Sequence, residues 1–285
     1  MTKIAVTGGS GKAGRAVVRD LLEQGHEVLN IDTALAGDSY RDTPAPYLPV
    51  DVTDYGQVFE ALAGGEGLPK IDVVVHFAAI PSPGHHVPDQ VFRTNMTSTY
   101  AVFSAAARLG LERVVWASSE TTLGLPFDRP PDYAPVDEAH MYPESSYALS
   151  KVLGEEMARQ FHRWSGIPII GLRYSNVMVR ADYDQFESWQ DDPRARRWNL
   201  WGYVDESHVA ESVRRALAAD ITGADNFIIA AADTVMRRPS AELMAEVYPD
   251  VPLKREVRGS ETLLDISKAR AVLGYDPQFS WRELF

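Results

Sequence analysis

A tyrosine and a lysine, spaced so that one helix face could hold both, are the strongest chemical signal in the 285-residue sequence. Tyr147 and Lys151 stand at positions i and i+4 of a predicted helix, Ser145–Trp164. A free phenol has a pKa near 10, so using it as a base near pH 7 requires a decrease of about 3 units, or ~4 kcal/mol. An ammonium ~4 Å away can supply about that energy at an effective dielectric constant of ~20. The pair predicts a general base, although a solvated helix face could carry the same spacing.

Two polar residues in other segments could complete the chemistry around this pair. Ser119 follows the predicted strand Arg113–Ala117, and its hydroxyl could bind a substrate oxygen beside the tyrosine. Asn95 lies in the predicted helix Asp89–Leu109, where its amide could hold a water molecule that relays protons from Lys151. Together these residues predict general base catalysis on a positioned substrate.

A glycine-rich turn lies near the N-terminus, between the predicted strand Lys3–Thr7 and the predicted helix Ala13–Gln24. Its glycines are spaced three residues apart, and they allow a tight turn and close approach of a phosphate to the backbone. The helix N-terminus that follows offers free N–H groups and the positive end of the helix dipole. A simple strand–helix turn could also carry these glycines. The predicted phosphate contacts are Gly8, Gly11, Lys12, Ala13 and Gly14.

Asp32 ends the second predicted strand, where a carboxylate would accept hydrogen bonds from an adenosine ribose. The same charge would repel a 2′-phosphate, so we expect NAD rather than NADP, and Arg41 is too far along the chain to reverse this preference. An ordinary strand-end turn would be the alternative explanation for Asp32. The further predicted cofactor contacts follow the third and fourth strands and are Asp51, Val52, Phe77, Ala78 and Ala79.

Short apolar runs alternate with helical patterns over the first 175 residues, which is typical of βαβ units and a parallel sheet. We predict an α/β fold with a Rossmann-type, doubly wound parallel sheet and a smaller C-terminal substrate lobe. Residues 1–176 would form the NAD-binding domain with the catalytic residues, and residues 177–285 a lobe interleaved with the sheet edge. Residues 180–200 are rich in Asp, Arg and Trp and predict a mobile segment rather than a core element. The other predicted strands are Glu27–Ile31, Pro46–Val50, Asp72–Phe77, Pro168–Leu172 and Phe227–Ala230, and the other predicted helices are Tyr55–Ala63, Ser207–Ala219, Ala241–Val247 and the turn Ser267–Leu273.

The composition excludes several classes of function. The formal net charge is −12, with 45% hydrophobic and 24% charged residues, which predicts a globular protein whose main partner is neither nucleic acid nor membrane. No cysteine is present, which excludes disulfides, thiolate metal sites and cysteine nucleophiles. The sequence has neither a signal-peptide pattern nor an apolar run of the ~18 residues that a membrane span requires, so we predict a cytoplasmic protein.

Taken in order, these motifs resemble the extended short-chain dehydrogenases/reductases of the NAD-dependent epimerase/dehydratase family. The resemblance covers nearly the whole chain and includes the segments Leu172–Val177, Leu264–Ala269 and Leu273–Tyr275. It implies a Rossmann-type domain, bound NAD, a Ser119–Tyr147–Lys151 triad whose lysine also holds a cofactor ribose, and cofactor contacts at Asn95, Tyr174 and Asn176. It also implies a homodimer through the Asp89–Leu109 and Ser145–Trp164 helices.

The substrate segment is shorter than the resemblance to nucleotide-sugar enzymes would require. Only residues 177–202 separate Asn176 from Tyr203, which favours a small substrate and is similar to the uronate dehydrogenases. The chain departs from them, however, in the segment Ser118–Gly124, where Glu120 and Thr121 replace their Asn and His. Dehydratases carry an Asp-Glu pair there, of which Glu120 supplies only half. The predicted substrate contacts are Ser82, Ser119, Glu120, Thr121, Asn176 and Arg197, the last as a partner for a carboxylate.

These observations predict an NAD-dependent oxidoreductase that oxidises a hydroxyl of a small sugar or sugar acid. An epimerase or dehydratase that uses tightly held NAD transiently remains the alternative, and a non-catalytic NAD(H) sensor a more distant one. His85 and His86 are neighbours that would rarely share one ion, so we predict no metal site. His208 could start a helix or face the cavity. The tryptophans of the substrate segment could stack on a sugar or lie in ordinary packing, and its arginines could bind an anionic substrate or lie in solvent. These residues are Trp189, Trp198, Trp201, Arg180, Arg194 and Arg196.

Overall fold

The fold is known from a computed structural model that describes residues 1–33, 45–84 and 86–284. Its strands are β1 (Lys3–Thr7), β2 (Glu27–Asp32), β3 (Tyr47–Pro49), β4 (Val73–His76), β5 (Arg113–Ser119), β6 (Ile169–Tyr174), β7 (Val177–Met178), β8 (Val204–Asp205) and β9 (Ala224–Ile229). Its α-helices are α1 (Lys12–Glu23), α2 (Tyr55–Ala63), α3 (Pro88–Leu109), α4 (Ser146–Ser165), α5 (Glu206–Ala218), α6 (Ser240–Val247) and α7 (Ser267–Leu273). Strands β7 and β8 were not predicted, and the bounds of all the other elements lie within three residues of the predicted ones.

Seven strands form one sheet in the order β3-β2-β1-β4-β5-β6-β9, and every neighbouring pair is parallel. The central strands are buried on both faces, as their continuous apolar runs predict. Helices α2, α3 and α4 cover one face, where α3 packs on α4, and helices α1 and α5 pack together. The predicted doubly wound α/β fold is confirmed.

The C-terminal part of the chain completes this sheet. Strand β9 lies in the predicted substrate lobe, yet it pairs with β6 along the register Ile169↔Ala224 to Tyr174↔Ile229. On the same strand, the Ile228 N–H donates to the Glu138 carboxylate at 2.9 Å and the Asn226 carbonyl accepts from the Lys268 ammonium at 2.9 Å. A boundary at residue 176 therefore does not separate the sheet from the lobe.

The prediction that residues 180–200 lie outside the core is wrong. Arg180–Trp189 forms a 3₁₀-type helical segment, and its Tyr183 and Phe186 are fully buried. The two rings contact each other with centroids 5.0 Å apart, and Phe186 also contacts Trp281 at 5.3 Å. Aromatic side chains bury a large apolar area, which here outweighs the polar composition of the segment. None of the helices in the described part of the chain combines the length and apolar character needed to cross a membrane.

Candidate active site

A cavity of about 930 Å³ opens where β1, β2, β4, β5 and β6 end. The carboxyl ends of parallel strands are where open α/β sheets bind ligands. Apart from Asn95 and Arg197, every predicted site residue lines this cavity: Gly8, Gly11, Lys12, Ala13, Gly14, Asp32, Asp51, Val52, Phe77, Ala78, Ala79, Ser82, Ser119, Glu120, Thr121, Tyr147, Lys151, Tyr174 and Asn176. The cavity at the carboxyl ends of the strands thus contains both the predicted cofactor residues and the predicted catalytic residues.

The backbone of the glycine turn is packed so closely that side chains would not fit. A phosphate can therefore approach this backbone without meeting side chains. Gly8 has φ +71°, and a Cβ there would lie 2.6 Å from the Ala78 amide nitrogen. A Cβ on Gly14 would lie 2.1 Å from the Gly8 carbonyl oxygen. No acidic residue occupies the first turn of α1, so its N–H groups meet no competing charge there. This cradle fits the pyrophosphate of a dinucleotide.

Asp32 lies at one end of the cradle. Its carboxylate accepts from the Ser10 amide at 3.1 Å and from the Thr33 amide at 2.8 Å, which fixes the side chain beside the glycine turn. Asp51 is held in its own turn, where it accepts from the Thr53 amide and hydroxyl at 2.9 and 2.7 Å. Arg41 lies outside the described residues.

Helix α4 and strand β5 bring the catalytic candidates together. The Ser145 hydroxyl caps α4 by accepting from the Ala148 amide at 3.1 Å, which places Tyr147 and Lys151 on the buried face of its first turns. Further along, a Cβ on Gly154 would lie 2.8 Å from the Trp116 ring, so this glycine lets α4 approach β5. Since β5 ends at Ser119, the close approach sets the phenol beside the serine hydroxyl.

Burial dominates the electrostatics of the pair. Desolvation raises the pKa of Tyr147 to about 12; the hydrogen bond with Ser119 opposes this, and the Glu120 carboxylate adds to it. Burial also lowers the pKa of Lys151 to about 8, although the Glu155 carboxylate favours its charged form. The Lys151 ammonium donates to the Ala117 carbonyl at 2.7 Å and lies 5.6 Å from the centre of the Tyr147 ring. The pKa of Tyr147 is therefore shifted upward, opposite to the lowering that the sequence predicted.

Asn95 contacts the backbone instead of the cavity. Its amide oxygen accepts from the Ile80 N–H at 2.8 Å, and its amide nitrogen donates to the Ile80 carbonyl at 3.1 Å. This double contact fixes the loop after β4, which carries Phe77, Ala78 and Ala79. The water relay predicted for Asn95 finds no support in these contacts.

Glu120 is the centre of a buried polar network that no sequence pattern indicated. Its carboxylate accepts from the Ser175 hydroxyl at 2.6 Å and from the Asn199 amide at 3.4 Å. Burial raises its pKa to about 7, while these two partners and the charge of Arg196 favour the ionised form. The segment predicted to be mobile therefore supplies two partners of a cavity residue.

Arg196, and not Arg197, is the arginine beside this network. Its guanidinium lies between the rings of Trp189 and Trp198, 4.7 Å from each centroid. Asn176, with its amide oxygen turned toward the guanidinium, accepts from both terminal nitrogens at 3.1 and 3.2 Å. Arg197 is not among the described residues that line the cavity. Sequence could not distinguish these neighbours, because the turn conformation decides which of two adjacent side chains points inward.

A second buried network supports the site from behind. The Glu155 carboxylate accepts from the Arg173 guanidinium at 2.7 and 2.8 Å and from the Ser118 hydroxyl at 2.6 Å. These residues belong to α4, β6 and β5, so the ion pair ties together the elements that carry Tyr147, Tyr174 and Ser119. No sequence pattern indicated this ion pair, because Glu155 and Arg173 lie in separate elements.

Of the remaining candidates, Arg180 and Arg194 are exposed, and the others apart from Trp198 lie in the structural framework. Trp198 lines the cavity. Trp201 is buried and donates to the Pro193 carbonyl at 2.7 Å, and His208 accepts from the Phe279 amide at 3.2 Å. Among residues 1–33, 45–84 and 86–284, no group of three or more His, Asp or Glu side chains is arranged to hold a metal ion. His85 lies outside these ranges.

A parallel seven-stranded sheet, a glycine cradle and a Ser119–Tyr147–Lys151 cluster define an enzyme of the short-chain dehydrogenase/reductase type. The sequence profile of the NAD dependent epimerase/dehydratase family matches residues 4–189, and the chain belongs to that family, with NAD as its cofactor. The family prediction made from the motifs is confirmed.

Individual relatives point to two kinds of reaction. The chain is 29% identical over 235 residues to the L-arabinose 1-dehydrogenase (NAD(P)(+)) of Haloferax volcanii, covering 78% of this chain and 84% of that protein. It is 24% identical over 318 residues to the UDP-glucose 4-epimerase of Rhizobium leguminosarum bv. trifolii, covering 99% and 94%.

Two further observations describe the likeness in length and shape. Four other relatives that are UDP-glucose 4-epimerases by name are matched over only 52% to 60% of their own length. A solved structure of a mutated uronate dehydrogenase has the same fold, with a TM-score of 0.69 at 21% identity, covering 99% of this chain and 85% of that one.

Proposed function

We propose that this protein is an NAD-dependent dehydrogenase that oxidises a hydroxyl of a small sugar or sugar acid. The observation that carries the proposal is the convergence of Ser119, Tyr147 and Lys151 in the cavity that also contains the glycine cradle. A non-catalytic NAD(H) sensor would need the cradle but has no use for a buried phenol beside a serine hydroxyl.

Each residue has a defined task in this reaction. The Ser119 hydroxyl orients the substrate oxygen, and Tyr147 accepts the hydroxyl proton as general base. Lys151, anchored by the Ala117 carbonyl, holds a cofactor ribose and places its positive charge near the phenol. When bound, NAD supplies the hydride acceptor and a further positive charge that favours the ionised form of a nearby phenol. The glycine cradle and Asp32 hold the cofactor, with Phe77, Tyr174 and Asn176 around it. The Phe77 and Tyr174 rings are stacked with centroids 5.7 Å apart.

The short substrate segment supports a small substrate. The segment between Asn176 and Tyr203 consists of residues 177–202 alone. Its aromatic side chains pack in the core and around Arg196. Little of this segment is left to enclose the base, ribose and diphosphate of a nucleotide sugar, from which such substrates draw most of their binding energy. The relationship to an L-arabinose 1-dehydrogenase supports the same conclusion.

A nucleotide-sugar epimerase that uses NAD transiently is the second candidate. The nearly full-length match to a UDP-glucose 4-epimerase favours it. The two candidates differ in whether NADH leaves the enzyme.

One experiment tests both candidates. The purified protein is incubated with NAD and a panel of sugars, sugar acids and UDP-sugars, NADH is followed by absorbance, and melting temperatures are measured with each ligand. We expect NADH from a small sugar or sugar acid and no stabilisation by UDP. Stabilisation by UDP-sugars without release of NADH would replace the dehydrogenase proposal with the epimerase.

We also propose that the protein is a cytoplasmic homodimer formed through α3 and α4. Four large apolar side chains are exposed on these two helices: Tyr100, Leu149, Leu153 and Trp164. Burying such a patch against a second copy would remove apolar area from water. Light scattering after gel filtration should give twice the chain mass of 31.6 kDa, and a monomer would contradict the proposal.

A further inference from the structure

The substrate end of the cavity presents a carboxylate rather than a cation. Glu120 directly follows Ser119, lines the cavity and is only 4% exposed. Its carboxylate accepts from the Ser175 hydroxyl, from the Asn199 amide and from the Asn176 backbone N–H. Since the two oxygens of a carboxylate can together accept about four hydrogen bonds, capacity remains for a donor from the cavity.

The guanidinium of Arg196, which lies beside this carboxylate, faces away from the cavity. Arg196 is 6% exposed, is not among the described cavity-lining residues and is sandwiched between two tryptophan rings. Its terminal nitrogens are used by Asn176 and by the Gly202 carbonyl, which accepts at 3.2 Å. Each charge favours the ionised form of the other. Arg196 therefore balances Glu120 and offers no open fork to a substrate anion.

Resting on the proposed dehydrogenase function, we propose that Glu120 selects a neutral polyhydroxylated sugar and excludes sugar acids. A hydroxyl beside the one that is oxidised donates to the Glu120 carboxylate, as the residue next to Ser119 is placed to accept it. A sugar acid would bring a second negative charge close to Glu120, whose neighbouring cation, Arg196, is already paired with it, and that cost opposes its binding. The selection thus combines an attractive contact for one substrate class with repulsion of the other.

The test compares galactose with galacturonate, which differ in the oxidation state of one carbon, in wild-type protein and in Glu120→Gln. The amide keeps the shape and an acceptor for Ser175 but removes the charge. We expect the wild-type protein to have the higher kcat/KM with the neutral sugar. In Glu120→Gln, kcat/KM for the neutral sugar should fall at least ten-fold. The ratio of kcat/KM for the neutral sugar to kcat/KM for the acid should fall by more than that. Glu156→Gln, on the exposed face of α4 with Arg159, is the matched control and should leave the ratio unchanged.

Binding is measured separately, as the shift in melting temperature of the wild-type NAD complex with each ligand. A shift with galactose and none with galacturonate supports the selection, and this result does not depend on whether Glu120→Gln folds. If no NADH forms as well, only the dehydrogenase proposal is overturned. Equal or greater stabilisation by galacturonate, or an unchanged ratio in a folded Glu120→Gln protein, overturns the role of Glu120.

Discussion

The cofactor end and the proposed substrate end of the cavity are built by different means. At the cofactor end, Gly8, Gly14 and Ala78 shape the space with backbone packed at distances that no Cβ would tolerate. At the substrate end, Glu120 and its partners shape it with side chains that come from positions 55 and 79 residues further along the chain. The first end depends on backbone geometry and the second on a balance of buried charges, so substitutions should affect them separately.

The largest effect is expected where the two ends meet. Tyr147→Phe removes one hydroxyl, so turnover should fall by roughly 10²- to 10⁴-fold, the usual effect of losing a general base, while NAD still binds. Tyr142→Phe is the control, because that hydroxyl donates to Asp132 on the surface. Steady-state rates and NAD titrations measure the two outcomes. A folded Tyr147→Phe protein with near-normal turnover would show that the base lies elsewhere.

The charge balance at the substrate end is tested by two adjacent arginines. Arg196→Ala leaves the buried Glu120 without its compensating charge, so we expect a loss of about 3 kcal/mol in the free energy of unfolding. Arg197→Ala should change it by roughly 0.5 kcal/mol or less, as an ordinary surface substitution does. Urea denaturation of both variants measures the difference. Equal losses would mean that the network around Glu120 contributes no specific stability.

The cofactor end should discriminate between dinucleotides through a single carboxylate. Because Asp32 would repel a 2′-phosphate, NAD should bind at least ten-fold more tightly than NADP, a difference of ~1.4 kcal/mol. Asp32→Asn should reduce that ratio without affecting Glu120. Calorimetric titrations with both dinucleotides decide the point, and equal dissociation constants for wild type would remove Asp32 from this role.

The smallest effect is expected at the ion pair that joins the two ends. Lys12, in the glycine turn, pairs with Asp182 of the Arg180–Trp189 segment at 2.6 Å, and both side chains are partly exposed. Such pairs contribute roughly 0.2–1 kcal/mol, so Asp182→Asn should lower the free energy of unfolding by no more than that. A double-mutant cycle with Lys12→Met isolates the pair energy. A larger coupling would mean that the two ends are not independent.

The same contrast explains which features the sequence could predict. The Gly8–Gly14 turn and the strand-end residue Asp32 follow from local spacing, and the cavity contains them as expected. Tyr147 and Lys151 share a face because a helix imposes it. The partners of Glu120 come together only through the packing of distant segments, so no local pattern marks Asn199 or Arg196. The core position of Tyr183 was missed because its aromatic neighbours are contributed by Tyr203 and Phe279.

Strands β3 and β9 give the sheet protected borders. At one border, β3 has only three residues and ends in Pro49, which has no N–H to offer to another strand. At the other, the Glu138 and Lys268 side chains occupy the Ile228 N–H and the Asn226 carbonyl of β9. Strand addition from a neighbouring molecule, the first event in edge-to-edge aggregation, is therefore obstructed at both borders. At high concentration the folded chain would therefore resist the strand-to-strand stacking that leads to fibrils.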